Sequence, residues 1–150
     1  MDELTVEVSL GEGLSLPLPE AAVERAVRHV LRAEGHGAGE VSVAFLSDPE
    51  IAGLNREYLA HDRPTDVISF ALHEPGEPPL GDVYVGVEQA LRQATELGVD
   101  PGEEVLRLAV HGTLHVLGYD HPEGAERTES GMFRRQEELL REILGGDGPA

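Results

Sequence analysis

Hydrophobic and polar residues change their period several times along this chain, and each change marks an element. From Thr5 to Leu10 they alternate, with Val6, Val8 and Leu10 opposed to Thr5, Glu7 and Ser9, the pattern of a half-buried strand. After the Gly11–Pro19 loop, Val23, Ala26, Val27, Val30 and Leu31 recur at helical spacing. Pro19 sits near the first turn, and Gly35 and Gly37 close the helix. Val41, Val43 and Phe45 then return to strand alternation. Ser47-Asp48-Pro49-Glu50 has the form of a capping box with proline inside the first turn. It predicts a helix through about Leu59 whose apolar side is Ile51, Leu54 and Tyr58.

Thr65 to Leu72 is rich in β-formers, and the glycine- and proline-heavy segment Glu74–Pro79 reads as a turn. Leu80 to Val87 follows, with Val83, Val85 and Val87 facing one way; the short connection makes these two strands an antiparallel pair. A helix over about Glu88–Leu97 ends at Gly98. Asp100-Pro101-Gly102-Glu103 again sets an N-cap, an N1 proline and an N3 glutamate in register. The helix it opens carries Val105, Leu106, Leu108, Ala109, Val110, Leu114 and Leu117. Being apolar almost all round, it is predicted to lie buried at the centre. A last helix, about Glu126–Leu144, shows Met132, Phe133, Leu139, Leu140 and Ile143, and the tail 147–150 is expected to be loose.

The order predicts an α+β (mixed α/β) fold: a four-stranded mixed sheet with about five helices, the first two crossovers parallel and right-handed. Neither repeat nor linker interrupts it, so residues 1–150 read as a single domain.

Composition narrows the function classes. There is no cysteine, which removes disulfides and thiolate metal sites and fits a reducing cytoplasm. No apolar run reaches membrane-spanning length and the N-terminus does not read as a signal peptide, so the expected location is cytoplasmic, away from membranes. Eleven basic residues, all arginine, face twenty-nine acidic ones, a formal charge of -18. That balance argues against broad electrostatic capture of nucleic acid, although a bound dication and a few arginines can reverse the field in one cleft.

The chemistry concentrates between His111 and His121, which hold three of the seven histidines. His111 and His115 lie four apart on the predicted buried helix and so share one face. Gly118 can take the positive φ that ends a helix, letting the chain turn and His121 swing back towards the other two rings. Three converging imidazoles form the protein half of a catalytic zinc site, one ion per chain, with the fourth position left to water. Three imidazoles would also accept nickel or copper. The spacing His-x3-His-x2-Gly-x2-His is that of the metzincin peptidases. Where those enzymes carry a glutamate general base, however, this chain has Gly112. The chemistry therefore points to a substrate with a better leaving group than an amide, and no catalytic side chain can be named beyond the metal-bound water.

Other polar residues have two readings each. Asp120 could orient a ligand ring or cap a turn. Thr65, Asp66 and Ser69 fall on a strand whose alternation divides them between core and cleft, and Asp82 either braces the hairpin or faces the site. Met132 falls in a helical core pattern rather than a Met-turn, and His29, His36, His61 and His73 have no partner spacing and read as surface residues.

His111-Gly112-Thr113-Leu114-His115-Val116-Leu117-Gly118-Tyr119-Asp120-His121 closely resembles the signature of the bacterial YbeY family, as do Leu54-Asn55, Pro64-Thr65-Asp66-Val67-Ile68-Ser69-Phe70 and Leu80-Gly81-Asp82-Val83. The resemblance covers nearly the whole chain. It implies a zinc-dependent single-strand endoribonuclease acting in ribosomal RNA maturation and ribosome quality control. His111, His115 and His121 would be its metal ligands, an rRNA precursor its substrate, and ribosomal proteins or an assembly GTPase possible partners. Two departures stand out. Tyr58 is followed by Leu59 where many members have an arginine that engages RNA, and Ala71 replaces a proline. Arg63 or Arg56 could take the arginine's place as substrate-binding residue, or simply be solvated. Two alternatives remain on sequence grounds: a metallopeptidase-like hydrolase, and a zinc-stabilised, non-enzymatic ribosome assembly factor.

Overall fold

The computed structural model describes residues 3–59, 65–119 and 131–145. Among these the order is β1 (Glu3–Leu10), α1 (Glu20–Ala33), β2 (Ala38–Leu46), α2 (Asp48–Leu59), β3 (Val67–Ala71), β4 (Leu80–Gly86), α3 (Val87–Leu97), α4 (Pro101–Val116) and α5 (Gly131–Gly145). This is the expected α+β arrangement of four strands and five helices. The expected tail at 147–150, and the part of the last helix before Gly131, lie outside the described residues.

Local chemistry sets the helix ends. The Ser47 backbone N–H donates to Glu50 Oε1 at 2.8 Å while the Glu50 N–H donates to Ser47 Oγ at 3.3 Å, a reciprocal capping box at the start of α2. Asp100 accepts from the N–H groups of Gly102 and Glu103 and caps α4, with Pro101 as its first residue. Gly98, at φ 70°, ends α3 in the left-handed region. The Gly86–Val87 boundary turns strand into helix one residue before the pattern suggested, so Val87 opens α3 instead of extending β4.

The sheet order is β1-β2-β4-β3, with β1–β2 and β2–β4 parallel and β3–β4 antiparallel. The parallel crossover from β2 therefore lands on β4, and β3 runs antiparallel to β2, contrary to the expectation that the first two crossovers are both parallel. Burial explains the choice. In β4, Gly81, Val83, Val85 and Gly86 are all buried, whereas in β3 only Ile68 is. Gly81, Val83 and Val85 all lie on the face that α4 covers, so the strand fully buried there takes the interior position, while β3, whose Val67 and Ser69 on that face are only half-buried, becomes the edge.

One face of the sheet carries Val41, Val43, Phe45, Val83 and Val85, which join α1, α4 and part of α5 in the main core. The register Ser69↔Val83 and Val67↔Val85 puts Val67 and Ser69 on this face too. Alternation sends Asp82, Tyr84, Ile68 and Phe70 to the opposite face. There α2 lies, with Ile51 fully buried and Tyr58 edge-on to Phe70, ring centroids 5.5 Å apart. Tyr58 is 57 % exposed and Asn55 only 3 %. The buried side of α2 is thus turned from the one expected, towards Asn55 and away from Tyr58.

Candidate metal centre

The central helix α4 is held on the sheet by what two glycines lack. A Cβ at Gly112 would stand 2.5 Å from Val83 Cγ1 and 3.2 Å from Val67 Cγ2, and one at Gly81 would stand 2.6 Å from Val116 Cγ1. Gly112 and Val116 are one turn apart on α4, so the helix backbone rests directly on β3 and β4 along that line. No glutamate fits at Gly112, which is a packing position and not a vacant catalytic one. Val105, Ala109, Val110 and Leu114, fully buried, anchor the remaining sides.

His111 and His115 then fall on the partly buried flank of α4, their ring centroids 4.9 Å apart at an interplanar angle of 66°. They are brought together as the i, i+4 spacing requires. After Val116 the helix ends as the sequence implies. Leu117 is the C-cap, Gly118 takes φ 103°, and the Tyr119 N–H donates to the Leu114 carbonyl at 3.0 Å. The expected third ligand, His121, lies outside the described residues, as do Asp120, His61 and Arg63. Among the described residues no group of three His, Cys, Asp or Glu side chains forms a metal cage. Two neutral imidazoles at this separation nevertheless suit a borderline-soft dication such as zinc.

The ring of His111 has a partner that the spacing alone does not reveal: its Nδ1 lies 2.7 Å from Gln136 Oε1 on α5. Gln136 is only 5 % exposed. Its Nε2 donates to Glu137 Oε2 at 3.0 Å. Glu137 is gripped by Arg107, Nε to Oε2 at 2.9 Å and Nη2 to Oε1 at 3.2 Å. Arg107 also donates to Glu103 and to the buried Glu104, whose other oxygen accepts from Gln93. Burial pushes the Glu137 carboxyl up, but the hydrogen bonds from Arg107 and Gln136 and the charge of Arg107 outweigh it and hold the group below the usual carboxylate range. The sequence did carry a signal for Gln136: it is a polar residue inside the apolar stripe Met132, Leu139, Leu140 of α5.

A second latch secures the chain just before His121. The Tyr119 hydroxyl donates to Glu34 Oε1 at 2.6 Å and Arg135 Nε donates to Glu34 Oε2 at 2.7 Å, joining the end of α1, the exit of α4 and α5. Burial raises the Glu34 carboxyl, yet the hydrogen bonds from Tyr119 and Arg135 and the Arg135 charge more than compensate, so its pKa is lowered overall. A carboxylate depressed on folding contributes stability that is complete above its unfolded pKa and is lost as pH falls through the folded one. The thermal midpoint is therefore expected to drop as the pH falls below the ordinary glutamate range and on through the lowered pKa values of Glu34 and Glu137. Glu34→Gln should remove part of that acid slope and cost about 1–3 kcal/mol at neutral pH. Thermal melts across pH on both proteins check this, and an unchanged acid limb would count against the latch.

The remaining polar residues resolve into structure. Ser69 shares the sheet face of α4, while Asp66 accepts from the Val67 N–H at 2.8 Å at the start of β3. Asp82 faces away from α4 and accepts from Ser42 Oγ at 2.7 Å, bracing β4 to β2. Met132 is buried against Val30, Val110, Leu114 and Leu139, a core residue. His29 pairs with Glu142, and His73 Nδ1 accepts from the Leu80 N–H, closing the hairpin.

Known proteins are similar to this chain along most of its length. The solution structure of a protein from Thermotoga maritima superposes with a TM-score of 0.66 at 28% identity, covering 97% of this chain and 99% of that one. An endoribonuclease YbeY of Pelotomaculum thermopropionicum is 48% identical over 81% of each chain. The endoribonuclease YbeY of Chloroflexus aurantiacus is 40% identical over 94% of this chain and 96% of its own. The family profile described as endoribonuclease YbeY matches residues 14–144, a span that takes in both histidines of α4, the glycines that seat that helix and nearly all of α5. With the fold, the motif and these relatives in agreement, the chain belongs to the YbeY endoribonuclease family.

Proposed function

We propose that this protein is a zinc-dependent endoribonuclease that cuts single-stranded RNA during ribosomal RNA maturation and ribosome quality control, with His111, His115 and His121 holding one ion. The observation that carries the reading is the pair of imidazoles on one flank of α4, 4.9 Å apart and set in the family motif. When bound, the dication would polarise a phosphoryl oxygen, lower the pKa of water and offset charge on the leaving oxygen. The chain's own part is rigidity: α4 cannot slide, because Gly112 and Gly81 seat it against the sheet. The steric fit at Gly112 also disfavours a peptidase, since the carboxylate that would serve an amide leaving group has no room.

Phosphate recognition needs a cation besides the metal. Arg92, Arg107 and Arg135 are committed to carboxylates. With Leu59 in the position of the family's arginine, Arg63 is the residue we assign to the RNA backbone, where a guanidinium can fork onto phosphate. The substrate is an rRNA precursor in the cytoplasm, and ribosomal proteins or an assembly GTPase are the partners that would present it. None of the described helices is long and apolar enough to cross a membrane.

The test is cleavage of single- and double-stranded RNA oligonucleotides by the purified protein, with and without a chelator. Single-stranded substrate should be cut and duplex spared. Chelation should stop the reaction and added zinc restore it. Cleavage indifferent to chelator would remove the metal from the mechanism.

A further inference from the structure

An amide side chain has one accepting end and one donating end, and its partners decide which way it points. Gln136 stands between two groups of known character. On one side is the Glu137 carboxylate, fixed by Arg107 and able only to accept, so the Gln136 nitrogen 3.0 Å away must donate to it. The Gln136 oxygen is thereby turned to His111, 2.7 Å from Nδ1. An accepting oxygen at that distance requires a proton on Nδ1. Neutral imidazole carries only one, so Nε2 keeps its lone pair on the far side of the ring from α5.

Burial makes this arrangement exacting. Gln136 lies in the apolar stripe of α5 beside Met132, Leu139 and Leu140, at 5 % exposure, with little access for water to replace its hydrogen bonds. A leucine would pack there at lower desolvation cost, so packing alone does not account for an amide at this position. Through Glu137, Arg107 ties the amide back to α4, the helix that bears His111, where Arg107 also pairs with Glu103 and Glu104 four and three residues before it.

We infer that Gln136 is a positioning residue for the metal centre: it holds His111 in the Nδ1–H form and in one ring orientation, so that Nε2 is presented as the ligand atom beside His115. This rests on the reading of His111 as a metal ligand and adds the group that selects its tautomer. Outer partners of ligating histidines are typically worth about 10–100-fold in metal affinity.

Two measurements on the full-length protein test it. Long-range proton–nitrogen NMR of the metal-free protein should show His111 as the Nδ1–H tautomer. Gln136→Met, which keeps the volume and loses the acceptor, should shift it towards Nε2–H. In competition with a chromophoric chelator, Gln136→Met should bind zinc about 10–100-fold more weakly. An Nε2–H tautomer in the unmodified protein would overturn the inference without any variant. So would a Gln136→Met protein that keeps Nδ1–H and binds zinc within about twofold of the parent. If His111 is Nδ1–H and responds to Gln136→Met, yet the parent protein has no affinity for zinc, the metal reading fails while the hold of Gln136 on the ring stands.

Discussion

His115→Ala should reduce RNA cleavage by about a thousandfold, the kinetic equivalent of roughly 4 kcal/mol of transition-state stabilisation from a bound dication. The expected loss is chemical and not structural. His115 sits on the partly buried flank of α4, and alanine is the strongest helix former, so the helix should keep its place. The measurement pairs single-turnover cleavage of a single-stranded oligonucleotide with a zinc titration and a thermal melt on the same preparation. A folded His115→Ala protein that cleaves at the parental rate would show that the ring takes no part in the reaction. The same substitution at His111 should be less clean, because it also strands the buried Gln136 amide.

Gly112→Glu, which writes the peptidase glutamate into the motif, should unfold the protein instead of converting its chemistry. Even the Cβ of alanine would meet Val83 Cγ1 at 2.5 Å, with Val67 3.2 Å away on the neighbouring strand. Both valines are on strands held by ladder hydrogen bonds, so neither can retreat without moving backbone. Overpacking of this kind costs about 1–3 kcal/mol for Gly112→Ala, and a buried, unpaired carboxylate adds more. Against the modest stability of a domain this size, the glutamate variant should be largely unfolded. Urea denaturation of the two variants checks the order. If Gly112→Glu has parental stability, α4 does not rest on β3 and β4 as described.

These two substitutions separate the roles that the motif combines. Both residues lie within a single turn of helix, yet one faces the open flank and the other the sheet. A reading by resemblance to peptidases would treat Gly112 as a missing catalytic group. The packing shows why a side chain is excluded there, so no carboxylate at that position can serve the flank that carries His111 and His115.

Much of this was legible in the order of residues, because it depends on neighbours. The capping box Ser47–Glu50, the Asp100 cap and the Gly98 terminus are interactions over three or four positions, and they form where the pattern places them. The pairing of His111 with His115 follows from helical pitch alone. What the chain order left open was everything settled by competition between distant segments. Which of two adjacent strands sits inside the sheet went with the α4 face of β4, where Gly81, Val83 and Val85 are all buried. Which side of α2 is buried was decided by the sheet beneath it, which took Asn55 and left Tyr58 outside.

Gln136 shows the limit most directly. From the sequence it is an odd polar residue in an apolar stripe. Only the approach of α5 to α4 places its oxygen on a ring 25 positions away. Composition and spacing by themselves determined the elements, the α+β class and the candidate ligands, because those rest on local period and on the chemistry of single residues. The tertiary structure decided strand order, the meaning of Gly112 and the partner of His111. Each of these is a contact between parts of the chain far apart in sequence, whose free energy depends on everything packed around them.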